Sequence, residues 1–174
     1  MRDGHGEPGE PERSDSSESF FVQPDTGDDP RHDEWVFLAQ GNEDDWARLV
    51  AYTKETAFKD AEVVIKSGET DRSLYFLTDG RVDLLLAQPN KAERLVRTIS
   101  APAVIGEMGF IEDRQRSMTI KGMGAGKLLR LDFEAFERLS AEQPAIAQNL
   151  LFELARVLSL RLRWATRAMS CGWQ

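Results

Sequence analysis

Glu107 and Arg116 are the pair in this chain whose types and spacing could do chemistry. They lie in Gly106-Glu107-Met108-Gly109-Phe110-Ile111-Glu112-Asp113-Arg114-Gln115-Arg116-Ser117-Met118-Thr119. Gly106 lets the backbone come close to something. The amides that follow Glu107 are expected to open a short helix, and unpaired helix-start N–H groups favour an anion. Arg116, nine residues on and just before a new strand, can return to the same spot, and a guanidinium holds phosphate oxygens in bidentate fashion. Glu107 can only accept hydrogen bonds, so beside an anion it needs hydroxyl donors. Phosphate at the amides and Arg116, hydroxyl at Glu107: the chemistry points to a sugar phosphate or a nucleotide. The other arrangement that satisfies both residues is a direct Glu107–Arg116 ion pair that orders the segment without a ligand.

The elements around this segment are short and β-rich. Ala51 to Phe58, Glu62 to Ser67, Leu74 to Thr78, Arg81 to Ala87, Leu95 to Ile99, Ser117 to Lys121 and Lys127 to Leu131 read as strands. Gly68, Asp79-Gly80, Pro89-Asn90, Pro102, Gly122 and Gly124 punctuate them. Strands at this spacing predict a closed sandwich or barrel. Before them, Asn42 is placed to cap a short helix through Trp46, Leu49 and Val50, after a short apolar run from Trp35 to Gln40. From Asp132 the pattern turns helical: Phe133, Phe136 and Leu139 recur at helical spacing behind Asp132 as N-cap. Pro144 then opens a long helix to about Arg167. Leu151, Leu154, Leu158 and Leu162 form one stripe on it, and Leu150, Val157 and Trp164 a second. One stripe is expected to pack on the strands and the other to meet a lid contact or another chain.

The charge is uneven. Residues 1–34 hold 11 acidic and 3 basic side chains, whereas residues 35–174 hold 19 of each. The N-terminal stretch is rich in Gly, Pro, Ser, Asp and Glu, with Phe20-Phe21-Val22 as its apolar island, and is expected to be disordered. A neutral body argues against broad nucleic-acid binding. The longest run without a charged residue, Gln143 to Phe152, has ten residues, short of the roughly 20 that span a bilayer. No signal peptide is expected, and the single cysteine, Cys171, excludes an intrachain disulfide. The chain is expected to be cytoplasmic. His5 and His32 are its histidines and both lie in the tail, so no metal site of the cupin kind is expected. No catalytic residues are assigned, since Cys171 has no histidine nearby in sequence and no P-loop or dinucleotide fingerprint appears.

The segment from Gly106 to Thr119 resembles the phosphate-binding cassette of cyclic-nucleotide-binding domains, as found in protein kinase A regulatory subunits, cyclic-nucleotide-gated channels and bacterial catabolite activators. The nine-residue Glu107-to-Arg116 spacing is that of the kinase regulatory form. Val63-Val64-Ile65-Lys66-Ser67-Gly68-Glu69, followed by Leu74-Tyr75-Phe76-Leu77-Thr78-Asp79-Gly80-Arg81-Val82, is similar to the family's first half. Leu128 to Leu139 and Pro144 to Arg163 look like its B and C helices. The resemblance covers residues 50 to 164, with three blocks in register. It implies a mainly β fold with flanking helices: a β-roll, jelly-roll-like, with a short cassette helix and a long C-terminal helix. The expected division is an acidic tail (1–34), a helical segment (35–50), the β-roll (51–132) with its cassette (105–119), and the B and C helices (133–174).

The resemblance further implies that Glu107 accepts from a ribose 2′-hydroxyl and that Arg116 pairs with a cyclic phosphate. The amides of Glu107, Met108 and Gly109 and the Ser117 hydroxyl would complete the cradle, with Gly106 at its mouth. Leu158, Arg161 and Leu162 of the C helix are the lid candidates. The implied ligand is cAMP, with cGMP as the alternative, and no other cofactor. Three departures stand out. Met118 replaces the usual alanine, Gln115 a common proline, and Ala61 a common turn glycine. Arg161 stands where bacterial activators place a small hydroxyl residue. The chain ends ten residues past Trp164, so the helix-turn-helix of those activators, and DNA as a partner, are not expected.

The function implied is a stand-alone sensing domain that relays ligand binding through its C-terminal helix to a partner or a second copy. The alternative is a scaffold of the same fold that binds no nucleotide. On this reading Arg116→Glu abolishes binding with the fold intact, and Val157→Glu breaks a dimer or partner contact.

Overall fold

A computed structural model describes residues 43–88 and 91–171. The acidic tail, the Trp35–Gln40 run, the Asn42 cap and the Pro89-Asn90 turn lie outside the described residues, as does the side chain of Trp164.

The described chain runs α1 (Glu43–Val50), β1 (Lys54–Phe58), β2 (Val63–Ile65), β3 (Ser73–Asp79), β4 (Arg81–Gln88), β5 (Lys91–Ser100), β6 (Ala103–Ile105), α2 (Glu107–Glu112), β7 (Thr119–Gly122), β8 (Gly126–Asp132), α3 (Phe133–Glu142) and α4 (Pro144–Cys171). The strands form two antiparallel four-stranded sheets, ordered β1-β8-β3-β6 and β2-β7-β4-β5. This is the β-roll expected from the sequence. Several boundaries differ: β5 begins at Lys91 rather than Leu95, β7 at Thr119 rather than Ser117, and α4 runs on to Cys171. Residues 51–53 close α1, with Tyr52 N–H donating to Leu49 O and Thr53 N–H to Val50 O, so β1 begins only at Lys54. And β6 is an additional strand, pairing with β3 through Tyr75↔Ile105, Phe76↔Val104 and Leu77↔Ala103.

The first sheet separates two apolar cores, and strand periodicity does the sorting. Leu74 and Phe76 of β3, Val104 of β6, and Leu129 and Leu131 of β8 face a helical core with Trp46, Phe110, Phe136, Leu150 and Leu154. Their alternates Tyr75, Leu77, Ala103, Ile105 and Leu128 face the roll interior, with Phe58, Val82, Leu84 and Ile120. A sheet covered on both faces has no solvent side. That is why β3 is buried from Ser73 to Thr78.

Helix α4 meets the helical core with Ile146, Ala147, Leu150, Leu154 and Val157, all buried, while Leu151 (44% exposed), Phe152 (75%) and Leu162 (67%) face outward. The division therefore cuts across the two stripes read from the sequence. Leu150 and Val157 of one join Leu154 of the other, because the helix is turned so that residues at seven- and three- to four-residue spacing from Leu150 lie on the sheet. Val157 is fully buried, so Val157→Glu would disrupt this core rather than report on an outer interface. Asp132 does precede α3, but its side chain makes no cap bond. Its carboxylate instead accepts from Lys54 at 3.0 Å and pairs with Arg130 at 2.9 Å.

Ala61, between β1 and β2, has φ 60. The left-handed conformation costs an L-residue about 1–2 kcal/mol, while glycine gives back about 0.4–1 kcal/mol through its freer unfolded chain. Ala61→Gly is therefore expected to stabilise the fold by about 0.5–1 kcal/mol. A urea midpoint that does not rise refutes the strain.

Candidate ligand-binding site

The cassette is built around Arg116. Its side chain is 3% exposed. Nη1 donates to Gly106 O at 2.8 Å, and Nη2 donates to Ser73 O at 2.7 Å and to Asp71 Oδ2 at 3.0 Å. The backbone is pinned as well: Arg116 N–H donates to Glu69 O at 2.8 Å, and Gly68 N–H to Arg116 O at 2.9 Å. So residue 116 is fastened to the β2–β3 turn, and its guanidinium reaches under the start of α2. This explains two glycines. A Cβ on Gly106, whose φ is 80, would stand 2.9 Å from Arg116 Nη1, and one on Gly109 would stand 3.0 Å from it. Arg116 Nε is buried and finds no acceptor among the described residues.

Asp71 holds the guanidinium from the other side. Arg130 reaches the same carboxylate at 3.1 Å, and the hydroxyls of Ser73 and Tyr75 donate to it at 2.9 and 3.1 Å. Burial opposes ionisation of Asp71. The hydrogen bonds from Arg116 and Ser73 and the charges of Arg130 and Arg116 outweigh it and hold the carboxyl below its usual range. Burial, then the charge of Asp71, pushes the Tyr75 hydroxyl up to about 12. Asp71 and Ser73 are site residues that the sequence reading missed. Nothing in Asp71-Arg72-Ser73 distinguishes it from an ordinary polar turn.

Glu107 opens α2 and is also buried, at 6% exposure. Its partner is not Arg116. Arg161 of α4 pairs with Glu107 Oε1 at 2.5 Å through Nη1 and donates from Nη2 to Val104 O at 2.6 Å. The direct Glu107–Arg116 ion pair considered from the sequence is thus replaced by two separate pairs, Arg116–Asp71 and Glu107–Arg161. The physical reason is reach: the Nη atoms of Arg116 are held by Gly106 O, Ser73 O and Asp71, and α4 brings a second arginine to the Glu107 carboxylate.

Glu107 and Arg116 nevertheless line one cavity of about 510 Å³. Gly106, Met108, Gly109 and Ser117 line it from the cassette, and Leu158, Arg161 and Leu162 from α4. Its apolar wall comes from the roll interior, including Ile65, Leu84, Ile105 and Ile120. Met118 lines the cavity and packs, partly buried, against that interior cluster. Arg97 of β5 and Glu112 complete its charged lining. A guanidinium, a carboxylate and an apolar wall around one hollow can hold an anion, a hydroxyl and a flat apolar group together. Among the described residues no helix is long and apolar enough to cross a membrane.

Comparison with known proteins defines the class. The model of the cyclic nucleotide-binding domain matches residues 55–143, and the chain belongs to that family. Among curated relatives, the cAMP-activated global transcriptional regulator CRP of Pasteurella multocida is 30% identical over 96 residues, 55% of this chain and 46% of that protein. The cAMP-dependent protein kinase regulatory subunit of Blastocladiella emersonii is 28% identical over 96 residues, 55% of this chain and 24% of that protein. The chain thus spans less than half the length of these relatives. Among solved structures, a cyclic nucleotide-binding domain from Methylobacillus flagellatus superposes with a TM-score of 0.72 at 20% identity, covering 81% of this chain and 79% of that one.

Proposed function

We propose that this domain is a cyclic-nucleotide sensor, with cAMP as its ligand, that passes binding through α4 to a protein partner or a second copy. It has no catalytic role of its own. The observation that carries the reading is the shared cavity. Arg116, held by Asp71 and two carbonyls, lines the same hollow as Glu107. A cyclic phosphate suits the guanidinium, a ribose 2′-hydroxyl suits the carboxylate, and the base fits the apolar wall. The family and its cAMP-named relatives support this choice of ligand. Relay requires that the ligand bind the form with α4 closed better than any open form.

Calorimetry with cAMP, cGMP and 2′-deoxy-cAMP tests the reading. Removing the hydroxyl leaves a buried carboxylate one donor short, at about 1–3 kcal/mol. The deoxy ligand is therefore expected to bind roughly ten- to a hundredfold more weakly than cAMP. Equal affinities remove the role given to Glu107, and no binding of any of the three sinks the sensor.

The second reading is a scaffold that binds no nucleotide. It is favoured by Leu151, Phe152 and Leu162, exposed on α4. It predicts no thermal shift with cyclic nucleotides, and a partner or self-association lost in Leu162→Glu, which replaces Val157→Glu as the probe.

A further inference from the structure

Two arginines hold the same short stretch of chain, residues 104–107. Arg116 donates to Gly106 O. Arg161, from α4, holds Val104 O and the Glu107 carboxylate, one on each side of the left-handed Gly106. The Arg161 and Glu107 side chains are only 13% and 9% exposed. A carboxylate this buried beside an anion site needs a counter-charge, and α4 supplies it. The cavity exists with Arg161 in place, so a ligand need not displace it. The pair uses Oε1, and a carboxylate has acceptor sites on both oxygens, so a hydroxyl can share Glu107 with Arg161.

Resting on the sensor reading, we propose that Arg161 is a positioning residue, a clasp that orients Glu107 for the ligand and thereby ties nucleotide binding to the closure of α4. Orienting the carboxylate and seating the helix are then one event. By linkage, whatever Arg161 adds to ligand affinity the ligand returns to the seating of α4.

The test is calorimetric titration of the full chain with cAMP and cGMP, using wild type, Arg161→Gln, Arg161→Lys, Glu107→Gln and the double variant Glu107→Gln/Arg161→Gln. Arg161→Gln is expected to weaken cAMP binding about tenfold, within the usual span of coupling. Arg161→Lys keeps the charge and is expected to recover part of the loss. The double variant is expected to bind no more weakly than Glu107→Gln, because Arg161 acts through Glu107. Amide exchange is the second readout: cAMP is expected to slow exchange in residues 158–171 of the wild type and not of Arg161→Gln. An Arg161→Gln variant that binds cAMP as tightly as wild type, or losses that multiply in the double variant, overturns the clasp and leaves the sensor standing. A wild type that binds neither nucleotide overturns the sensor itself, and the clasp with it.

Discussion

Arg116→Glu is expected to unfold the domain or to lower its stability by about 3–5 kcal/mol, the cost of breaking a buried ion pair from one side. The sequence reading expected the fold to survive this change; the burial of Arg116 gives the opposite expectation. Three acceptors, the carbonyls of Gly106 and Ser73 and the carboxylate of Asp71, would lose their donor. A second carboxylate would then face Asp71 in a place that is 4% exposed for the arginine. Each buried acceptor left unsatisfied costs about 1–3 kcal/mol, so repulsion and lost hydrogen bonds act in the same direction. Arg116→Lys separates charge from geometry. It keeps the positive charge beside Asp71 but has one nitrogen where the fork had two, and cannot serve Gly106, Ser73 and Asp71 together. It is expected to fold with a loss of about 1–3 kcal/mol and is the usable variant for ligand titration. Urea denaturation followed by circular dichroism checks both. An Arg116→Glu protein with the wild-type midpoint would show that the guanidinium does not support the fold.

The parts of the fold legible in the sequence were those with local signals. β3 and β8 stand out as apolar runs bounded by Gly80 and Gly124, and the cassette by Gly106, Glu107 and Arg116. β6 was not legible: three residues, Ala103 to Ile105, are too few to show a period, and Pro102 before them reads as a turn. The facing of α4 was not legible either. Leu150, Leu151, Leu154, Leu158 and Leu162 spread around more than one face, so only the sheet beneath decides which are covered. At the site, the residue types were readable but the pairing was not. Glu107 and Arg116 are close in sequence, yet each takes a partner more than forty positions away, Arg161 and Asp71 in turn. Two arginines and two carboxylates can be matched in two ways. The choice depends on where α4 and the β2–β3 turn lie, which is tertiary information.

Phe110→Ala is the variant expected to separate the cassette from its support. Phe110 is 1% exposed. It sits in α2 three residues after Glu107, and its ring meets Phe133 at 5.5 Å and Phe136 at 5.4 Å between centroids. Arg72 fixes the same turn: its Nε donates to Phe110 O at 2.9 Å, and its guanidinium lies 3.2 Å from the Phe133 ring centre. So α2 faces two ways. Glu107 and Gly109 line the cavity, while Phe110 anchors the helix in the core it shares with Leu154 and Val157 of α4. Truncating a buried phenylalanine costs about 3–5 kcal/mol, and the aromatic contacts place this site toward the upper end. Leu49→Ala in α1 is the control, a buried truncation in the same core worth about 2–5 kcal/mol on a helix that does not line the cavity. Both variants are expected to melt earlier. If α2 positions Glu107 through Phe110, only Phe110→Ala should also lose affinity for cAMP when titrated well below its melting temperature. Equal affinity losses in the two, at matched destabilisation, would mean that the cassette answers to the stability of the whole domain and not to its own anchor.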